Sequence, residues 1–176
     1  MAQLSDLTDP GYLDGLEEWS IEDVRAHRDE ATEIETGLSY LRRIVQGRLD
    51  IVVAAQTKLR RGEVLGDVSD LVEELPAILG DHVHAPGLGR LPALMGPGRL
   101  DHGLEQRLEE VLPAGRLSSL TESTDEELTA CADGLHDLER TISAQRRAVF
   151  DVLDRLQEEI VRRYRTGEAS VDNLLS

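Results

Sequence analysis

The chain has one cysteine, Cys131, one tryptophan, one phenylalanine and three tyrosines among its 176 residues. A lone cysteine excludes an intrachain disulfide and a multi-cysteine zinc site. Aromatics make up 3% of the residues while hydrophobics reach 40%, mostly Leu, Val, Ala and Ile. That content fills a narrow seam but not a thick mixed core, which argues against a sandwich or a doubly wound sheet. Positive charge is also short, with 19 Lys and Arg against 35 Asp and Glu, for a formal net charge of −16. The arginines gather only in short pairs, at 42–43, 60–61, 146–147 and 162–163. A nucleic acid repels such a surface unless a strong basic patch intervenes, so direct DNA or RNA binding is not expected. No apolar run is long enough to span a bilayer, and no N-terminal stretch resembles a signal peptide. A cytoplasmic protein with no membrane contact is the resulting expectation. The acidity itself has two readings: it keeps the protein soluble, or it draws in a basic partner.

What the chain does have is helical periodicity. Residues 1–19 carry turn signals, including Asp9-Pro10-Gly11, and read as a loosely ordered arm that Tyr12, Leu13, Leu16 and Trp19 dock back on the body. A first long helix is expected over 20–61, opened by Ser20 and Asp23 at capping-box spacing and stopped by Gly62. Within it Val24, Ala31, Leu38, Val45, Val52 and Leu59 recur every seven residues, with Ile34, Leu41 and Ala55 between them. His27 and Arg48 are the exceptions. A second long helix is expected over 124–166, opened by the box Thr124 and Glu127, with the seam Leu128, Leu135, Ile142, Val149 and Leu156. Cys131, Leu138 and Val152 lie between those positions, and Gln145 is the polar exception. A sustained 3.5-residue period reads as a coiled-coil seam.

The connecting segment, 62–123, differs. Short helices are plausible at 68–79 and 103–112, around a Gly/Pro-rich loop at 82–98. Residues 167–176 form a C-terminal tail. The expected fold is therefore all-α: a long antiparallel two-helix coiled-coil hairpin with a partly helical connection. Each helix of about 40 residues spans about 60 Å. A hairpin made within the chain needs no dimer, so a monomer before partner binding is expected.

One polar stripe is written twice on these helices. Glu35, Ser39, Arg42, Gln46 and Asp50 are spaced four, three, four and four residues apart. The same spacing returns about 100 residues later as Glu139, Ser143, Arg146, Phe150 and Asp154. Such steps keep side chains on one helical face. Glu35 and Glu139 each stand three residues before a seam position, Leu38 and Ile142, so both stripes hold one place relative to their seams. Paired antiparallel helices carry an approximate two-fold axis, which suits a two-fold symmetric ligand or two copies of one ligand. Gly37 and Gly47 lie beside the first stripe, each costing roughly 1 kcal/mol against Ala in a helix interior. Something packed closely there would explain them.

The residue types suggest a ligand. Arg offers a donor fork that matches phosphate or the O6/N7 edge of guanine. Carboxylates suit the N1–H and N2–H2 edge, and Ser adds a hydroxyl. Three readings follow. The stripes bind a guanine nucleotide; or they are solvated ion-pair faces of a ligand-independent coiled-coil scaffold or adaptor; or their carboxylates hydrolyse a nucleotide. The last is weakest, because neither stripe holds His, Cys or Lys and its acids alternate with arginines, so no enzyme is expected. Asp81, His82, His84 and His102 do not have standard zinc spacing, and no metal is expected. Cys131 reads as a small core residue.

The pattern Glu-x3-Ser-x2-Arg-x3-Gln-x3-Asp, once on each of two helices, resembles the RsiG family of actinobacterial anti-sigma factors. The first copy matches at all five positions and the second at four, with Phe150 where the family has Gln. The stretch 162–175 is similar to the family's C-terminal end. The resemblance covers the two long helices, roughly half the chain. It implies an antiparallel coiled coil that binds cyclic di-GMP, as two molecules, and that sequesters a sporulation sigma factor of the WhiG type when liganded. Carried over by position, Arg42 and Arg146 contact guanine or phosphate. Glu35, Asp50, Glu139 and Asp154 accept from guanine edges or orient the arginines. Ser39, Ser143 and Gln46 make secondary polar contacts. Phe150 either stacks on a base or leaves the second half-site weaker.

Overall fold

A computed structural model describes residues 3–62 and 98–169. Most of those residues are helical, and no strand occurs among them. A short helix α1 (Leu4–Leu7) and a 3-10 turn (Leu16–Glu18) precede the long helix α2 (Ile21–Arg60). Helix α3 (His102–Val111) and a 3-10 stretch (Ala114–Glu122) lead to the second long helix, α4 (Asp125–Thr166). The expected loop at 82–98 apart from Gly98, the expected helix at 68–79, the histidines at 82 and 84, and residues 170–176 lie outside the described residues.

Local chemistry sets the ends of the long helices. The Ser20 hydroxyl accepts the Asp23 N–H at 3.0 Å and donates to the Asp23 carboxylate at 2.7 Å. Thr124 and Glu127 form the complete reciprocal box, at 2.9 and 3.2 Å, satisfying two otherwise orphaned N–H groups. Both helices carry acids in the first turn and bases in the last, which complements the macrodipole. Gly62 and Gly167 end them at φ 69° and 80°, a left-handed conformation that favours glycine.

The chain divides into two compact units. One gathers the described parts of 1–39, 96–101 and 143–176; the other gathers those of 40–95 and 102–142. In the first unit the α2 residues Val24, Ala31, Ile34 and Leu38 are buried, as are Val149, Val152, Leu156 and Ile160 of α4. The two helices run antiparallel there: Arg25 of α2 meets Tyr164 of α4, and further along Glu35 meets Arg146. The arm at the N-terminus belongs to this unit, with Leu4, Leu7 and Leu13 buried.

The second unit repeats the antiparallel order with Arg42 against Glu139, Gln56 against Thr129 and Arg60 against Asp125. Its buried seam includes Leu41, Val45 and Val52 of α2 and Leu128, Leu135, Leu138 and Ile142 of α4. Helix α3 adds Leu104 and Leu108.

Two polar interruptions of the seam, His27 and Arg48, have structural work, whereas the third, Gln145, has a buried Oε1 with no hydrogen-bond partner among the described residues. In the first unit His27 stacks on Trp19, with ring centroids 4.6 Å apart, and its Nδ1 lies 2.7 Å from the Tyr12 hydroxyl. His27 is therefore where the arm seats on α2. In the second unit Arg48 donates to the Leu112 carbonyl and to Glu109 at 2.7 Å, covering the C-terminal end of α3. Cys131 donates to the Val111 carbonyl at 3.3 Å, and burial pushes its thiol pKa up, which suits a packed residue rather than a nucleophile.

Of the two interior glycines, only Gly37 has a close neighbour. The segment 98–101 crosses α2 there: Arg99 N–H bonds the Glu33 carbonyl at 3.2 Å, and a Cβ on Gly37 would lie 2.0 Å from the Arg99 carbonyl oxygen. Gly47 has nothing within 4 Å among the described residues, so close packing does not account for it.

Candidate functional site

The stripe residues form one cluster in each unit. In the first unit, Arg146 of α4 donates from Nε to Glu35 Oε1 at 2.9 Å and to Ser39 Oγ at 2.7 Å. The Ser39 hydroxyl donates to the same Glu35 oxygen at 2.6 Å. One turn along α4, the Phe150 ring lies under the guanidinium, 4.7 Å from centroid to Cζ. Here α2 supplies the acid and hydroxyl, and α4 supplies the base and its aromatic support.

The second unit exchanges the roles. Arg42 of α2 donates from Nε to Glu139 Oε1 of α4 at 2.8 Å. The arginine of each stripe is thus held by the glutamate of the other, through the same nitrogen. The environments match as well: the side chains of Arg146 and Glu35 are 32% and 18% exposed, and those of Arg42 and Glu139 are 35% and 20%. Half-exposed pairs of this kind are each worth on the order of 1 kcal/mol or less.

Both glutamates being occupied by guanidinium, neither is poised to act as an acid or base. The terminal nitrogens of Arg146 have no partner among the described residues and form an open donor fork. Gln46 and Asp50, on the same α2 face as Arg42, likewise have no side-chain partner among the described residues. Burial pushes the Asp50 carboxyl pKa up from its ordinary value. Asp154 is exposed and Ser143 half-buried. The structure therefore brings together Glu35, Ser39, Arg146 and Phe150, and separately Arg42 and Glu139. Gln46, Asp50 and Asp154 stand apart from those hydrogen bonds. No group of three or more His, Cys, Asp and Glu residues is placed to hold a metal among the described residues. No described helix is long and apolar enough to cross a membrane.

One charged cluster was not singled out from the sequence. Glu159 and Arg163, one turn apart on α4, are both buried and bonded at 2.5 Å. Arg163 also donates to the carbonyls of Trp19 and Leu16, at 2.6 and 3.0 Å, and so clamps the 3-10 turn to α4. Hydrogen bonds from Arg162 and then Arg163 hold the Glu159 carboxyl at about 2 against an ordinary 4.5. The signal present in the sequence was the four-residue spacing of acid and base, which on most helices marks a solvated pair.

Residues 10–79 match the family model described as RsiG-like. The match takes in all of α2, and with it the first stripe; α4 and the second stripe lie beyond it. No curated protein matches the chain.

Proposed function

We propose that this protein is a cyclic di-GMP-binding anti-sigma factor that sequesters a sporulation sigma factor of the WhiG type when liganded. The observation that carries the reading is the reciprocal hold on the two arginines. Each stripe's glutamate fixes the other stripe's guanidinium through Nε, which at Arg146 leaves the bidentate fork unspent. That fork suits phosphate or the O6/N7 edge of guanine. Asp50 and Asp154 supply acceptors for the N1–H and N2–H2 edge, and Ser39, Ser143 and Gln46 supply further polar contacts. With one such set in each unit, the expected load is two dinucleotides per chain. Gating follows from linkage: if sigma binds only the liganded form, sigma and ligand raise each other's affinity by the same factor.

Arg42→Ala and Arg146→Ala test the reading directly. Each is expected to weaken cyclic di-GMP binding at least tenfold, with helix content by circular dichroism near that of the wild type. Unchanged affinity in both variants contradicts it and leaves the stripes as solvated ion-pair faces of a scaffold.

A further inference from the structure

Phe150 is the chain's single phenylalanine, and it stands where the repeated stripe has Gln46 in its first copy. Its ring face is already covered by the Arg146 guanidinium at 4.7 Å, so that face is not open to a base. Arg146 is consequently fixed on two sides. Glu35 and Ser39 hold its Nε edge, while Phe150 supports its plane. The remaining edge, with both terminal nitrogens, has no partner among the described residues. In the other unit Arg42 has the Glu139 contact, but the residue one turn on is Gln46, which has no aromatic face.

We infer that Phe150 is a positioning residue, which sets the Arg146 guanidinium in the plane a bidentate acceptor needs and makes its half-site the tighter of the two. The physical reason is preorganisation. A flexible arginine must lose rotamer freedom when it binds, and a guanidinium already stacked and hydrogen-bonded has lost most of it beforehand. Cation–π attraction supplies the stacking without consuming a donor, which a glutamine at the same place cannot do. The acceptor is a phosphate or the O6/N7 edge of guanine. The inference rests on the proposed nucleotide-binding reading and specifies how its two half-sites differ.

Two measurements separate the inference from that reading. In the unliganded protein, NMR of the Arg146 Cδ protons is expected to show an upfield ring-current shift. The shift should persist in Phe150→Tyr and vanish in Phe150→Leu, which keeps apolar bulk without a ring. In calorimetric titration with cyclic di-GMP, Phe150→Leu is expected to weaken the tighter step about tenfold and leave the weaker step unchanged, while Phe150→Tyr keeps both. A missing ring-current shift in the wild type overturns the inference, whatever the protein binds. So does a normal two-step isotherm in Phe150→Leu, or an equal weakening of both steps. A wild type that shows the shift but binds no cyclic di-GMP, alone or with its sigma partner, overturns the nucleotide reading and with it the ligand assigned to Arg146.

Discussion

At the residue scale, the chain places charge in three environments and uses each differently. The stripe arginines are half-exposed and each held by a carboxylate, which keeps them oriented yet within reach of a competing acceptor. Arg48 uses its charge to cover the open carbonyl end of α3. Glu159 and Arg163 are buried, where a lone charge costs several kcal/mol and a pair is tolerated only with further hydrogen bonds. Those bonds come from Arg162 and from the carbonyls of Leu16 and Trp19. Because the folded Glu159 pKa is depressed from 4.5 to about 2, its contribution is present in full above 4.5 and is lost as pH falls through about 2. Glu159→Gln is accordingly expected to lower stability at pH 7 by about 3 kcal/mol, leaving Arg163 buried without its counter-ion. The deficit should shrink steadily between pH 4.5 and 2. Urea unfolding of both proteins across that range checks it; a deficit that does not change with pH would show that the loss is one of packing rather than charge.

At the scale of elements, both long helices owe their limits to caps and their burial to an apolar seam. The two interior glycines of α2 make a paired prediction. Gly47→Ala adds a methyl where no described residue lies within 4 Å and is expected to raise stability by up to about 1 kcal/mol, the ordinary propensity gain. Gly37→Ala places a methyl 2.0 Å from the Arg99 carbonyl and is expected to lower stability, because the crossing segment 98–101 must be displaced. Thermal melts of the two variants should move in opposite directions. A rise in both would mean that the segment does not seat on α2.

The helical class, the caps at Ser20 and Thr124 and the buried seam were legible in the sequence, because periodicity and capping are local. So was the repetition of the stripe. The partners of its members were not. That Arg146 reaches Glu35 and Ser39 depends on the stagger of one helix against the other, which seven-residue spacing leaves free by whole turns. Arg99 at Gly37 and Arg163 at the 3-10 turn join segments more than 60 residues apart, and no short-range pattern encodes them. The polar breaks at His27 and Arg48 carried the clue. Each marks a point where the seam admits another segment rather than its partner helix.

At the scale of the whole molecule, the formal charge of −16 bears on the choice of partner. An acidic surface meets basic helices readily, and such complementarity speeds encounter and suppresses wrong partners more than it tightens the final complex. Under the proposed function, affinity and gating come from the ligand. A partner that binds the acidic chain equally well with and without cyclic di-GMP would have no switch, however tight the complex, since an effector shifts an equilibrium only by its differential affinity. The account thus stands on the stripes being a real nucleotide site. The most direct test is calorimetric titration of the purified chain with cyclic di-GMP, alone and with its sigma factor, using GTP and cyclic di-AMP as controls. The account predicts saturable binding near two dinucleotides per chain, tighter with sigma present, and no comparable heat from either control. No binding of cyclic di-GMP under either condition would contradict it.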